Sequence, residues 1–298
     1  MLINSLIRSN AALSKVAVTR WRNGVVSQAT DKVAEEVPIA LIYNGVSHAV
    51  MLATPQDLED FALGFSLSEG ILQNKSELYD VEIITQPQGI ELHLDVATEA
   101  FVKLKERRRN LTGRTGCGLC GAESLEQALR LPSLALSIEP SLEMTENALS
   151  CISAAYSQIS ANSIQTAYHA IQKQQILQQA TGAVHACAYV SADGEIQLLR
   201  EDVGRHNAMD KLIGALAKKE DDKNIGASNY KHGFVLTSSR ASVEMVQKVA
   251  LAGYKILVAI SAPTGLAIRV AEQYGVTLVG FLRDNQFVIY ANQQRIKL

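Results

Sequence analysis

Cysteine is scarce in this chain of 298 residues: there are four, Cys117, Cys120, Cys151 and Cys187. So few exclude a disulfide framework, and a chain of this length buries enough core to need none. Charge is scarce too, at 19%, and it leans neither way, since 28 basic and 30 acidic side chains leave a formal net charge of -2. No whole-chain field attracts nucleic acid or an anionic membrane, so an anionic ligand has to be held by local groups. Long apolar runs are missing as well. The opening MLINSLIRSNAALSKVAVTRWRNG is interrupted by Arg8, Lys15, Arg20 and Arg22 and lacks the apolar segment of a secretion signal. Residues 147–172 carry no formal charge, but they hold too much Ser, Asn and Gln for a membrane span. With 47% hydrophobic residues, the expectation is a soluble cytoplasmic globular protein, with no membrane and no nucleic-acid partner.

Three stretches organise the chain. Residues 1–34 read as a loosely ordered extension. Residues 35–135 read as a small α+β domain. In it two strands flank Asn44-Gly45, a dipeptide suited to a tight hairpin. Thr54 caps a helix with Pro55 in its first turn, and Leu58, Phe61, Ala62 and Phe65 line one face. Two further strands flank Pro87 and Gly89, and the domain ends in a glycine-rich loop at GCGLCG. Residues 136–298 read as an α/β domain. Helices fill the glycine-free region to Ala180. Strands then flank Asp193-Gly194, and a helix after Gly204 carries Met209, Leu212, Ile213 and Leu216. GFVLT, KILVAIS and VTLVGF alternate with helices, and QFVIYA closes the edge. The alternation predicts a largely parallel sheet covered on both faces.

Four places could carry chemistry. Cys117 and Cys120 sit among Gly116, Gly118 and Gly121, downstream of Lys103, Lys105, Arg107, Arg108 and Arg109 and beside Arg114. Access and positive potential favour a thiolate at Cys117. The pair fits half a zinc site, a redox dithiol or a sulfur-carrying site, against two inert thiols. Zinc is disfavoured because Cys151 and Cys187 do not make a second such motif. The second place is LREDVGRHNAMDK, which gathers Glu201, Asp202, Arg205, His206 and Asn207 where a strand meets a helix, for binding, proton transfer or mere capping. The third is a pair of helix-starting turns, Ser238, Ser239, Arg240 and Ser242 and then Ser261, Pro263, Thr264 and Gly265. Their N–H groups suit phosphate or carboxylate, although N-capping alone explains each. The fourth is His185-Ala186-Cys187. A zinc deaminase needs Glu at the third position and a later Cys pair, so here a metal is not expected.

Together ALGFSLSEGIL, GCGLCG, REDVGRHNAMDK, TSSRAS, AISAPTGLA and GFLRDNQFVIY resemble the FdhD/NarQ family of formate dehydrogenase accessory sulfurtransferases, over about residues 35–291. The resemblance implies a cytidine-deaminase-like α/β fold without its zinc. It implies a sulfurtransferase that takes sulfur from a cysteine desulfurase as a cysteine persulfide. The sulfur passes to the molybdenum of the bis(molybdopterin guanine dinucleotide) cofactor, here a bound substrate, before that cofactor enters formate dehydrogenase. Position by position it implies Cys117 as the persulfide-forming residue and Cys120 as the second cysteine of its motif. Phe281, Leu282, Arg283, Asp284, Asn285 and Gln286 become the cofactor-binding segment, and a homodimer is implied. The chain departs from the family pattern at Cys187 and in the charged loop from Lys218 to Lys231. A cofactor chaperone without sulfur transfer and a thiol-disulfide oxidoreductase remain as alternatives.

Overall fold

A computed structural model describes residues 11–109, 158–219 and 232–298. The segment with Cys117 and Cys120, Cys151, the helices expected before residue 158 and the charged stretch 220–231 lie outside the described residues.

The N-terminal stretch departs from the expectation. β1 (Leu13–Arg22) and β2 (Val25–Ala34) pair antiparallel from end to end around Asn23 and Gly24, both at positive φ. Asn-Gly is the same turn signal that places the next hairpin. Residues 13–34 of the extension thus form a regular two-stranded ribbon, exposed along most of its length.

β3 (Val37–Tyr43) and β4 (Val46–Ala53) turn at Asn44-Gly45 as the sequence predicts. With β5 (Leu78–Gln86) and β6 (Gly89–Val96) they form a sheet of order β4-β3-β6-β5. Val37, Ile39, Leu41 and Tyr43 alternate onto its buried face. There they meet Phe61, Ala62 and Phe65 of α1 (Leu58–Ser68) and Ala100 and Leu104 of α2 (Thr98–Arg109). Thr54 does not cap α1, which starts after Asp57. The Thr54 hydroxyl instead accepts from the Val203 N–H at 3.1 Å, so a long-range contact displaces the local cap.

The remaining elements build a six-stranded sheet of order β13-β12-β11-β10-β8-β9. Its strands are β8 (His185–Val190), β9 (Ile196–Asp202), β10 (Phe234–Thr237), β11 (Ile256–Ala259), β12 (Thr277–Arg283) and β13 (Gln286–Ala291). A two-residue β7 (Ile159–Ser160) pairs separately with β14 (Ile296–Lys297). Only β10-β11 and β11-β12 are parallel, whereas β8-β9, β8-β10 and β12-β13 are antiparallel. The sheet is therefore mixed, not largely parallel. The hairpin around Asp193-Gly194 and the one after Arg283 add antiparallel ribbons to a three-stranded parallel centre.

Both faces are covered, as continuous apolar strands require. Val235, Leu257 and Leu278 face α5 (Arg205–Lys219), α6 (Val243–Leu251) and α7 (Gly265–Gln273). Leu236, Val258 and Val279 face Ile164, Ala167 and Ile171 of α3 (Ala161–Gln174), which is followed by α4 (Ile176–Thr181). The two sheets meet where α1 crosses α5 at glycine. A Cβ on Gly64 would stand 1.7 Å from the Asp210 carbonyl oxygen, and one on Gly214 would stand 2.0 Å from that of Asp60. No other residue allows the backbones so close.

Candidate functional site

REDVGRHNAMDK divides between two tasks. Its larger part joins α1, α5 and β9. Asp202, fully buried, accepts from the Thr54 N–H at 3.0 Å, the Gly204 N–H at 2.8 Å and the Asn207 amide at 3.1 Å, and it pairs with buried Lys211 at 2.7 Å. Lys211 also donates to the Thr54 carbonyl at 2.9 Å, and Asn207 to that of Leu52 at 2.8 Å. Asp210 accepts from Ser68 at 2.6 Å and from Lys248 at 2.8 Å, and Lys248 reaches Glu69 at 3.0 Å. These carboxylates hold the Lys248 ammonium charged despite burial, raising its pKa. Arg200 pairs with Asp60 at 2.7 Å. Glu201 accepts from the Leu177 and Gln178 N–H groups at 2.9 Å, serving the start of α4. Buried charges with every partner in place act as mortar, because removing one partner strands the other. Glu201, Asp202 and Asn207, which the sequence leaves open between binding, proton transfer and capping, spend their side chains on these structural contacts.

The other part, Arg205 and His206, opens α5 at the edge of the six-stranded sheet. His206 Nε2 lies 2.8 Å from Glu244 and 3.4 Å from Ser242, and this contact holds the Glu244 carboxyl below its usual range. His185 at the start of β8 is half-buried. Burial first, then the charges of Arg205 and Arg240, push its imidazole below the usual pKa. Cys187, two residues on, is fully buried 3.5 Å from the Thr237 hydroxyl, and burial pushes its thiol up to about 12. That is an inert thiol.

The turns expected to share an edge do so. The Ile260 N–H donates to Thr237, Ser261 to Ser239 at 3.4 Å and Phe281 to Ser261 at 3.2 Å, so the ends of β10, β11 and β12 are stitched side by side. Thr264 caps α7 through the Ala267 N–H at 3.3 Å, whereas Ser242 gives α6 no side-chain cap.

Phe281–Gln286 is the bulged end of β12 and its turn into β13, not a free loop. Phe281 has φ 51, rare for a bulky residue, and its ring is half exposed. Such strain persists only where the surroundings enforce it, and it gathers at binding sites. Here Gly280 is pressed on Pro263, where a Cβ would stand 2.7 Å from the ring. Leu282 is buried in the core beneath. The Arg283 guanidinium donates to the carbonyls of Ile260 and, at 2.8 Å, Leu282, so it braces the turn. Asp284 faces His169 at 3.2 Å. Asn285 takes the left-handed corner at φ 58 and donates its N–H to Gln165 at 3.1 Å, and Gln286 pairs with Arg283. Phe281, Arg283, Gln286, Phe287 and Val288 line a hollow of about 270 Å³. Sequence reasoning missed Phe287 and Val288, although both lie in the next alternating strand.

Among the described residues no three His, Cys, Asp or Glu come together to hold a metal ion, and no helix is long and apolar enough to cross a membrane.

Fold and edge define an α/β protein with a mixed sheet, in which the turns after the three parallel strands lie side by side on one edge. The FdhD/NarQ family model matches residues 34–297, and the chain belongs to that family. It is 53% identical over 284 residues to the sulfur carrier protein FdhD of Cupriavidus necator, covering 95% of this chain and 90% of that one. It is 46% identical to the protein of the same name from Bordetella petrii, covering 97% and 96%. A solved structure from Desulfotalea psychrophila, provisionally described as a formate dehydrogenase accessory protein, shares the fold. Its TM-score is 0.67 at 23% identity, over 96% of this chain and all of that one.

Proposed function

We propose that the chain is a sulfur carrier that accepts persulfide sulfur from a cysteine desulfurase on Cys117 and transfers it to the molybdenum of bis(molybdopterin guanine dinucleotide), for use by a formate dehydrogenase. The relatives' names support the sulfur carrier. The observation that carries the cofactor half is the sheet edge, where three stitched turns end in a strained, half-exposed Phe281 that lines a hollow together with Arg283, Gln286, Phe287 and Val288. An aromatic face and the N-terminus of α6, which Ser242 leaves without a side-chain cap, suit a guanine base joined to phosphates.

The Cys117 thiolate attacks the terminal sulfur of the donor's persulfide, and the donor leaves as a thiolate. The outer sulfur then passes to the metal of the bound substrate, either directly, with the Cys117–sulfur bond breaking, Cys117 leaving as a thiolate and the metal supplying the electron pair, or after the Cys120 thiolate attacks Cys117, which forms a Cys117–Cys120 disulfide and releases the sulfur as hydrosulfide. Phe281 and Gln286 touch the base, while Arg283 keeps the turn in shape and Asp284 and Asn285 complete it. His185-Ala186-Cys187 fits a deaminase-like frame that dispenses with zinc. The inert Cys187 thiol stands where a deaminase needs its proton-moving Glu.

Formate dehydrogenase activity is the test, in cells whose only copy carries Cys117→Ala. Activity should vanish, Cys120→Ala should have an equal or milder effect, and Cys151→Ala and Cys187→Ala should be near neutral. Full activation by the Cys117 variant would sink the transfer step. Persulfide mass on Cys117 after incubation with desulfurase and cysteine separates this reading from a chaperone or a dithiol oxidoreductase.

A further inference from the structure

Beyond β10, toward β8 and β9, the same edge carries four basic side chains. His185 opens β8, Arg205 and His206 open α5, and Arg240 stands between β10 and α6. Backbone contacts fix them near one another. Ser238 bonds both the carbonyl and the N–H of Ala186 at 2.9 Å, His185 sits opposite Asp202 in the register, and His206 bridges to Ser242 and Glu244.

Negative charge does not match this concentration of positive charge. Asp202 is sealed against Lys211, and Glu244 is engaged by His206. Among the described residues neither Arg205 nor Arg240 has an ion-pair partner, and the buried Arg205 Nε has no hydrogen-bond partner. A buried guanidinium donor left open is costly unless something from outside accepts it. Burial chiefly, and after it the charges of Arg205 and Arg240, hold the His185 pKa below its usual value, which places both guanidinium groups within electrostatic reach of the ring.

We propose that His185, Arg205, His206 and Arg240 form a seat for a phosphate-class dianion. Arg205 and Arg240 supply charge-assisted donors, and the neutral His185 ring supplies a hydrogen bond. On the function proposed above, the seat takes the pyrophosphate of the cofactor's guanine dinucleotide arm. From Phe281 at the end of β12 to His185 at the start of β8 the edge crosses three strand spacings, roughly 14 Å at about 4.8 Å each, the reach of an extended nucleoside diphosphate. The base and the phosphates would then occupy two separately testable subsites.

Calorimetry on the full-length protein with inorganic pyrophosphate, guanosine and guanosine diphosphate tests the seat. Pyrophosphate should bind, and Arg205→Gln and Arg240→Gln should each weaken it by about tenfold to a hundredfold, the worth of one charge-assisted contact. Guanosine should be indifferent to both changes, and guanosine diphosphate should fall toward guanosine. Arg240 is exposed, so its variant keeps the test valid should Arg205→Gln misfold. No pyrophosphate binding by the parent, or equal binding by parent and Arg240→Gln, overturns the seat even if guanosine binds. Pyrophosphate binding that both variants lose, with no affinity for guanosine or its diphosphate, keeps the seat and removes the cofactor reading instead.

Discussion

Asn207, Asp210, Lys211 and Gly214 follow i, i+3, i+4, i+7 along α5 and face α1, where every charge has a partner and the backbones touch. Immediately before them, in the first turn of the same helix, Arg205 and His206 face the sheet edge, where positive charge outruns negative. The two regions use the same kinds of side chain. What separates them is satisfaction: closed networks hold elements together, and an open one waits for a ligand. In sequence they are one motif, because a helix distributes consecutive residues to different faces.

The comparison predicts opposite consequences for similar substitutions. The largest effect belongs to Lys211→Met, which strands the Asp202 carboxylate at zero exposure. It should cost about 3 to 5 kcal/mol of stability, read as a lowered urea midpoint. Arg240→Gln removes a charge of equal size and should change stability by less than about 0.5 kcal/mol. Equal losses from the two would erase the distinction. A middling and split effect is expected of Phe281→Gly. Removing a half-exposed ring from a left-handed position relieves about 1 to 2 kcal/mol, and glycine's extra freedom in the unfolded chain gives back about 0.5 to 1. Stability should hold within about 1 kcal/mol while guanosine affinity falls, and a variant that binds guanosine unchanged argues that the base sits elsewhere.

Smaller effects follow from titration. Free imidazole ionises near 6.5, and the folded chain keeps His185 below that value, so the unfolded state takes up the proton first. His185 therefore costs stability as pH falls through the unfolded value and below, and costs nothing above it. Melting curves at several pH values should fall less steeply in His185→Gln than in the parent. The smallest signal is a negative one: with its thiol pushed up to about 12, native Cys187 should resist alkylation at pH 8 and react only after denaturation.

Much of the fold is legible in the sequence where a pattern is local. Asn44-Gly45, the alternation of Val37 to Tyr43 and the apolar strands from Phe234 onward each appear where periodicity puts them. Asn23-Gly24 carries the same turn signal, but the flanking Arg20, Arg22, Asp31 and Lys32 leave no apolar alternation to mark strands there, and the ribbon has no buried face. Strand direction was not legible, because whether β8 lies parallel or antiparallel to β10 depends on which edge it docks against. Nor was the division of REDVGRHNAMDK, since Thr54, Leu52 and Ser68, the partners that satisfy it, lie about 150 residues earlier. The shared edge of the three turns was legible, because helix starts after successive parallel strands must fall on one side.

The ribbon of residues 13–34 has a practical consequence. Trp21, at its tip and 71% exposed, is the chain's only tryptophan. Its emission is therefore that of a solvated indole in the native state and is blind to either core. A fluorescence melt would register the fraying of the ribbon and miss the cooperative loss of both sheets, which far-ultraviolet dichroism would record. The same isolation makes Trp21 a built-in optical label: anything that covers the ribbon should shift its emission to the blue while the rest of the molecule stays spectroscopically silent.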